Sequence, residues 1–179
     1  MLKTEQAVLV VIDIQGKLAT LMHDKDHFYK QAATMIQGCQ ALNIPILWNE
    51  QLPDKLGETV DEIKSLFAGK SPLVKKTFSA CGNNEFVSEL KKLGRKQVLV
   101  IGMETHICVY QTVIDLLQDG LEVHVVGDAV SSRSPENKKI GLKAMREAGA
   151  KITNVEMALF EILRVAEGDA FKSIIKIVK

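Results

Sequence analysis

Apolar residues along this chain fall into short continuous runs separated by stretches with helical spacing. The runs are AVLVVI (7–12), IPILW (44–48), LVK (73–75), QVLVI (97–101) and EVHVV (122–126), with a weaker sixth, AKIT, at 150–153. Most are unbroken rather than alternating, which predicts strands covered on both faces, as in a parallel sheet. Between them, FYKQAATMIQGCQALN places Phe28, Ala32, Met35, Ile36 and Cys39 on one side of a helix. NNEFVSELKKLG offers Asn83 or Asn84 as N-cap, a stripe of Phe86, Val87 and Leu90, and Gly94 as the stop. SPENKKIGLKAMREAG starts with Ser134 as N-cap and Pro135 in the first turn and closes at Gly149. The tail GDAFKSIIKIVK reads as a last amphipathic helix.

Strand and helix in alternation predict an α/β protein: a three-layer α/β/α, Rossmann-like fold on a six-stranded parallel sheet, formed as one domain over residues 1–179. Ligands of such sheets sit beyond the carboxyl ends of the strands. The residues to inspect are therefore Asp13, Asn49–Gln51, Lys75–Ser79, Gly102–Cys108 and Gly127–Ser132.

Composition narrows this further. A net charge of +1, with 25% charged residues, gives no reason to expect nucleic acid or an anionic membrane as partner. The amino-terminal stretch has neither a signal-peptide pattern nor a membrane-span length, and three cysteines at irregular spacing make no disulfide framework. A cytoplasmic protein with reduced thiols is expected.

Three strand ends carry an acid, a lysine and a cysteine: Asp13, Lys75 or Lys76, and Cys108. Such a set suits covalent catalysis. A free thiol has a pKa near ~8.5 and is mostly protonated at neutral pH. A helix start and a nearby ammonium would lower that value. Asp13 would take the thiol proton and hand it to a departing amine, and backbone N–H groups of METHIC would bind the oxyanion. The plainer reading of each residue stands beside this one: a packing cysteine, a capping aspartate and solvated lysines.

The motifs also bring a resemblance. VLVVIDIQG, LVKKTFSACGNNEFVSEL and VIGMETHICVYQTVIDLLQDGLEVHVVGDAVSSRS stand in the order seen in the isochorismatase-like cysteine hydrolase superfamily. The chain looks most like its isochorismatase domain-containing hydrolases of unassigned substrate, which also have a counterpart of NEQLPDKLGETVDEI (49–63). The resemblance implies Cys108 as nucleophile, Asp13 as general base and acid, and Lys75, four residues before Ser79, as the lysine of the set. It implies an oxyanion site made by the Glu104 and Cys108 N–H groups and aimed by a cis peptide at Met103–Glu104, a bond that costs ~3–4 kcal/mol. It also implies a homo-oligomer, for which an apolar C-terminal helix (Ile174, Ile175, Ile177, Val178) would suit a subunit contact.

The departures bear on substrate. Nicotinamidases of the superfamily hold a metal through an aspartate and two histidines after the second strand, and WNEQLPDKLGETV has no histidine. The expectation is therefore no metal and no other cofactor. The presence of Cys108 argues against vinyl-ether hydrolysis and for attack on the C–N bond of a small amide or carbamoyl compound through a thioester. Candidate substrate contacts are Gln15, Glu50, Gln51 and Thr105 at strand ends, with Trp48 and Phe78 as apolar walls; Glu50 and Gln51 suit a loop-holding role equally. His23, His27, His106, His124, Cys39 and Cys81 receive no catalytic role. The rival is a binding or scaffolding protein on the same fold, with Cys108 structural or redox-sensitive.

Overall fold

The computed structural model describes residues 1–179. Its six strands are β1 (Ala7–Ile12), β2 (Ile46–Gln51), β3 (Leu73–Lys75), β4 (Gln97–Met103), β5 (Glu122–Ser131) and β6 (Lys151–Thr153). They form one sheet in the order β3-β2-β1-β4-β5-β6, and every pairing is parallel. The chain runs outward from β1 to β3, then returns to the middle at β4 and runs outward the other way. The strand order therefore reverses at β1 and β4, and the crevice that such a reversal opens lies at their carboxyl ends.

Nine helices are distributed along the chain. Short ones, α1 (Gly16–Ala19), α3 (Pro53–Leu56) and α4 (Asp61–Lys64), follow the carboxyl ends of β1 and β2. The longer ones are α2 (Lys25–Ala41), α5 (Asn84–Leu93), α6 (Tyr110–Gln118), α7 (Pro135–Glu147), α8 (Val155–Leu163) and α9 (Gly168–Val178). In β1, Ala7, Leu9 and Val11 join the cluster containing α2 and α8, while Val8, Val10 and Ile12 join the one containing α5 and α6. Each face of the strand thus buries every second side chain, which is why the run has no polar position. Hydrogen bonds fix two helix starts: the Glu85 N–H donates to Asn83 Oδ1, and the Asn137 N–H to Ser134 Oγ.

Four local expectations need correction. β5 does not stop at Val126 but continues to Ser131, because a register shift lets Val130 and Ser131 pair with Gly102 and Met103 of β4. Gly and Asp in GDAVS are poor strand formers, and a tertiary partner overrides them. β2 likewise runs on through Asn49, Glu50 and Gln51, two of which are fully or almost fully buried despite being polar. The residues before α6 do not open an ordinary helix; Thr105–Val109 form one wide π-type turn that carries Cys108. Finally, every peptide bond is trans, Met103–Glu104 included. The chain reverses there instead through a left-handed Glu104 (φ 54°).

Candidate active site

Asp13 directly follows β1, and its own backbone is left-handed (φ 51°), a conformation aspartate tolerates better than most residues. The Asp13 N–H still donates to the Asn49 carbonyl of β2 at 3.2 Å, so the strand is anchored while its last side chain turns toward the crevice. Lys75 ends β3, two strands away. Its Nζ reaches Asp13 Oδ2 at 2.6 Å and donates also to the carbonyls of Thr77 (3.0 Å) and Phe78 (2.9 Å). The lysine side chain is wholly buried, and its three donors are thereby all used. Lys76, by contrast, is exposed.

Cys108 is 6% exposed and comes from the turn after β4. Its thiol donates to Gln51 Oε1 at 3.8 Å. Asp13 Oδ1 is buried without a hydrogen-bond partner, yet lies close enough for its charge to act on the thiol. Burial, and then the Asp13 carboxylate, push the Cys108 thiol up to about 12, against the opposing pull of Lys75. This corrects the sequence expectation of a depressed thiol pKa. The expectation counted the ammonium and the helix start, whereas desolvation and an adjacent carboxylate outweigh both. Burial also raises the Asp13 carboxyl above its ordinary range, with Lys75 working against that rise. At neutral pH the resting thiol is therefore protonated.

These groups border a cavity of about 30 Å³. Leu18, Leu56 and Met103 give it apolar walls, and Gln15, Gln51 and Glu104 complete the rim around Asp13 and Cys108. A groove of about 270 Å³ between the ends of α5 and α6 is larger but holds none of the three strand-end groups. Convergent polar chemistry, rather than volume, singles out the smaller cavity.

The remaining candidates separate by partner. Gln15 is a clamp: its Nε2 donates to the carbonyls of Gln51 and Gly57, and its Oε1 accepts from the Gln51 N–H at 2.6 Å. Glu50 holds the following loop by accepting from the Thr59 N–H (2.6 Å) and Thr59 hydroxyl (2.7 Å). Trp48 stacks on Phe67 with centroids 4.5 Å apart and donates its indole N–H to Thr59, away from the cavity. Phe78 contributes its carbonyl to Lys75, while its ring is largely exposed. Thr105, the first residue of the turn, is fully buried. Of the six, Gln51 alone meets the sulfur. His106 turns to Ser132 and Glu104, and His124 to Glu122; His23 and His27 are exposed.

Several contributors went unseen in the sequence. The Glu104 side chain lines the cavity and pairs with Arg133 Nε at 2.7 Å. Thr112, one helical turn after Cys108, donates to the Cys108 carbonyl at 2.7 Å and accepts from the Ala80 N–H at 3.0 Å. Ser79 donates to Asp115 Oδ2 at 2.5 Å, a second link between the lysine loop and α6. The spacing Cys108, Thr112, Asp115 puts all three on one helix face and was the available signal. No three His, Cys, Asp or Glu side chains converge as a metal site.

An acid, a lysine and a cysteine thus come together where the strand order of a parallel α/β sheet reverses. The isochorismatase domain model matches residues 7–157, and the chain belongs to that family. It is 35% identical to isochorismatase family protein 1B of Dictyostelium discoideum, over 98% of this chain and 87% of that one. Isochorismatase domain-containing protein 2 of Danio rerio is 36% identical over 98% and 88% of the two chains. Among solved structures, the MAR1 ribonuclease of Caenorhabditis elegans superposes with a TM-score of 0.92 at 34% identity, covering 99% of this chain and 91% of its own. YcaC of Pseudomonas aeruginosa, solved with hexane-2,5-diol and covalent acrylamide, gives 0.91 at 26% identity over 98% and 90%.

Proposed function

We propose that this protein is a cysteine-dependent hydrolase that cleaves a C–N bond of a small amide or carbamoyl compound through a thioester. The observation that carries the reading is the buried Asp13–Lys75 pair at 2.6 Å beside the Cys108 thiol. Burying two charges is costly, and a fold that needed only packing there would do as well with apolar residues. A structural relative that carries acrylamide covalently supports a reactive nucleophile on this fold.

The chemistry starts from the protonated thiol. Asp13 takes the thiol proton as the sulfur attacks the carbonyl carbon, so thiolate never has to persist in a site that burial makes hostile to it. Lys75 keeps its ammonium on the carboxylate and steadies the charge as the proton moves. The Glu104 and Cys108 N–H groups are assigned to the oxyanion. Collapse breaks the C–N bond, and Asp13 returns its proton to the departing amine. Water, deprotonated by Asp13, then attacks the thioester, releasing the acid and restoring the thiol.

A phosphodiester reading, suggested by the ribonuclease among the structural relatives, finds less support. The cavity wall has no cation, and the buried ammonium is already committed to Asp13, Thr77 and Phe78. Self-association, the other property read from the family, finds a surface in α9, most of whose apolar residues are only partly buried. Three unpaired cysteines suit a reducing, cytoplasmic setting. No helix is long and apolar enough to cross a membrane.

The test is a screen of small amides and ureides for ammonia release, with the acyl-enzyme trapped by acid quench and weighed by mass spectrometry. Turnover with an acyl adduct on the Cys108 peptide, absent in Cys108→Ser and Asp13→Asn, is the expected result. Turnover that survives Cys108→Ser would overturn the thioester.

A further inference from the structure

We propose that the Cys108 cavity selects electrically neutral, compact substrates and rejects anionic ones, with Glu104 the residue that enforces the charge rule. This deepens the hydrolase reading and rests on Cys108 being the reacting group. The observation is a balance of charge at the cavity. Two carboxylates, Asp13 and Glu104, face it, and none of its lining residues is cationic. The matching cations stand behind the carboxylates: Lys75 on Asp13 at 2.6 Å and Arg133 on Glu104 at 2.7 Å. Each acid already has its partner, so the site has no net charge for a ligand to neutralise. An incoming carboxylate would meet the acidic side of both pairs and lose its water without gaining a counter-ion.

Both acids act at the sulfur itself, since each raises the thiol through its charge. Neutral side-chain donors at the rim leave an anion at most the second hydrogen of Gln51 Nε2. Gln15 has both amide hydrogens committed to Gln51 and Gly57, and Gln51 Nε2 donates to the Thr77 carbonyl at 3.3 Å. The one charge the site is built to receive is the oxyanion that develops at the attacked carbon, and backbone N–H groups serve it.

Size follows from the same walls. A space of about 30 Å³ holds roughly one or two waters, so the acyl part is a few heavy atoms long. Leu56 closes the mouth. It is 44% exposed, and its carbonyl lies so tightly on Gly16 (φ +58°) that a Cβ there would overlap it. The mouth is thus set by α3 resting on α1, with Leu56 as the side chain that limits length.

A matched pair of alkylating probes reads the charge rule without any need for turnover. Iodoacetamide is neutral and iodoacetate anionic; in both, the Cys108 sulfur displaces iodide from carbon and the thiol proton leaves to base. The rate of each would be followed by mass spectrometry on the Cys108 peptide and compared with free glutathione at the same pH. The inference expects the iodoacetate-to-iodoacetamide ratio at Cys108 to fall about tenfold or more below that of glutathione, a like-charge effect of ordinary size. Glu104→Gln should move the ratio back toward glutathione. Arg133→Gln, which keeps both carboxylates and removes a cation behind them, should depress it further. Leu56→Ala should admit bulkier neutral iodoacetamides while leaving the charge ratio unchanged. A ratio at Cys108 equal to or above that of glutathione overturns the charge rule, even where amides are hydrolysed. Conversely, strong discrimination with no amide turned over sustains the charge rule and removes the hydrolase reading.

Discussion

Lys75 shows how far one side chain can be committed. Its ammonium makes three hydrogen bonds, is wholly shielded from solvent, and neutralises the Asp13 carboxylate. Removing it strands a buried charge. Lys75→Met is therefore expected to cost about 3–5 kcal/mol of stability and to abolish turnover. Adding Asp13→Asn should restore much of the stability but none of the activity. Urea titration of the single and double variants checks the coupling; equal losses in both would mean that the pair is not coupled. The pH profile belongs to Asp13. It must be ionised to accept the thiol proton, and burial raises its pKa above the ordinary aspartate value of 3.8. Activity is thus expected to fall with decreasing pH at a point above the ordinary aspartate range, with an acid limb in kcat/KM that Asp13→Asn eliminates along with the activity. On the alkaline side, a thiol near 12 predicts that Cys108 alkylation keeps climbing above pH 8 instead of levelling near neutrality.

Between elements, the geometry of the site depends on how α6 and α7 hold the turn that carries Cys108. Thr112 has no exposed surface and joins the Cys108 carbonyl to the Ala80 N–H, so it sets the spacing between the cysteine and the loop that carries Lys75. Thr112→Val keeps the shape and loses both bonds. A shift of about 1 Å at a reacting group can cost on the order of 10²-fold, so kcat should drop at least tenfold with KM little changed. Thr112→Ser, which retains the hydroxyl, should recover most of it. A fall in KM-limited binding with kcat intact would argue against a positioning role. On the other side, Gly141 of α7 packs directly on the turn: a Cβ there would come within 2.9 Å of the Thr105 carbonyl and 3.0 Å of His106. Gly141→Ala must push against backbone, and slower alkylation of Cys108 in a folded variant is the expected sign.

At the opposite end of the sheet lies a cluster concerned with the molecule as a whole. Glu122, at the start of β5, accepts from Lys151, His124 and Gln97, and so links three strands at their amino ends. Lys151 above all holds its carboxyl down, to about 2 from an ordinary 4.5. A depressed carboxyl stabilises the fold fully above its unfolded value and ceases to do so as pH falls through the folded one. The contribution should therefore be present above pH 4.5 and disappear toward pH 2. Thermal melts across that window should show a steeper acid loss in the natural chain than in Glu122→Gln; parallel curves would remove the linkage. The two apolar layers are expected to tolerate acid better, since they rest on burial rather than charge.

The strand-and-helix order, the parallel sheet and the strand ends that hold Asp13, Lys75 and Cys108 were legible because each rests on local pattern. Unbroken apolar runs mark strands covered on both faces, caps mark helix starts, and the place where a strand ends is readable from where its run ends. The family motifs then distinguished Lys75 from Lys76 and pointed to Cys108 as the nucleophile. What the sequence could not reveal depends on distant partners. The length of β5 is decided by its pairing with Gly102 and Met103, the burial of Glu50 by Thr59, and the state of Cys108 by desolvation beside Asp13. The same holds for Trp48, whose apolar surface suits a pocket wall equally well until Phe67 claims it. Pattern along a chain determines which residues are buried and in which element. Charge state, pocket lining and loop path are set by neighbours tens of residues away, and these become neighbours only when the sheet has formed.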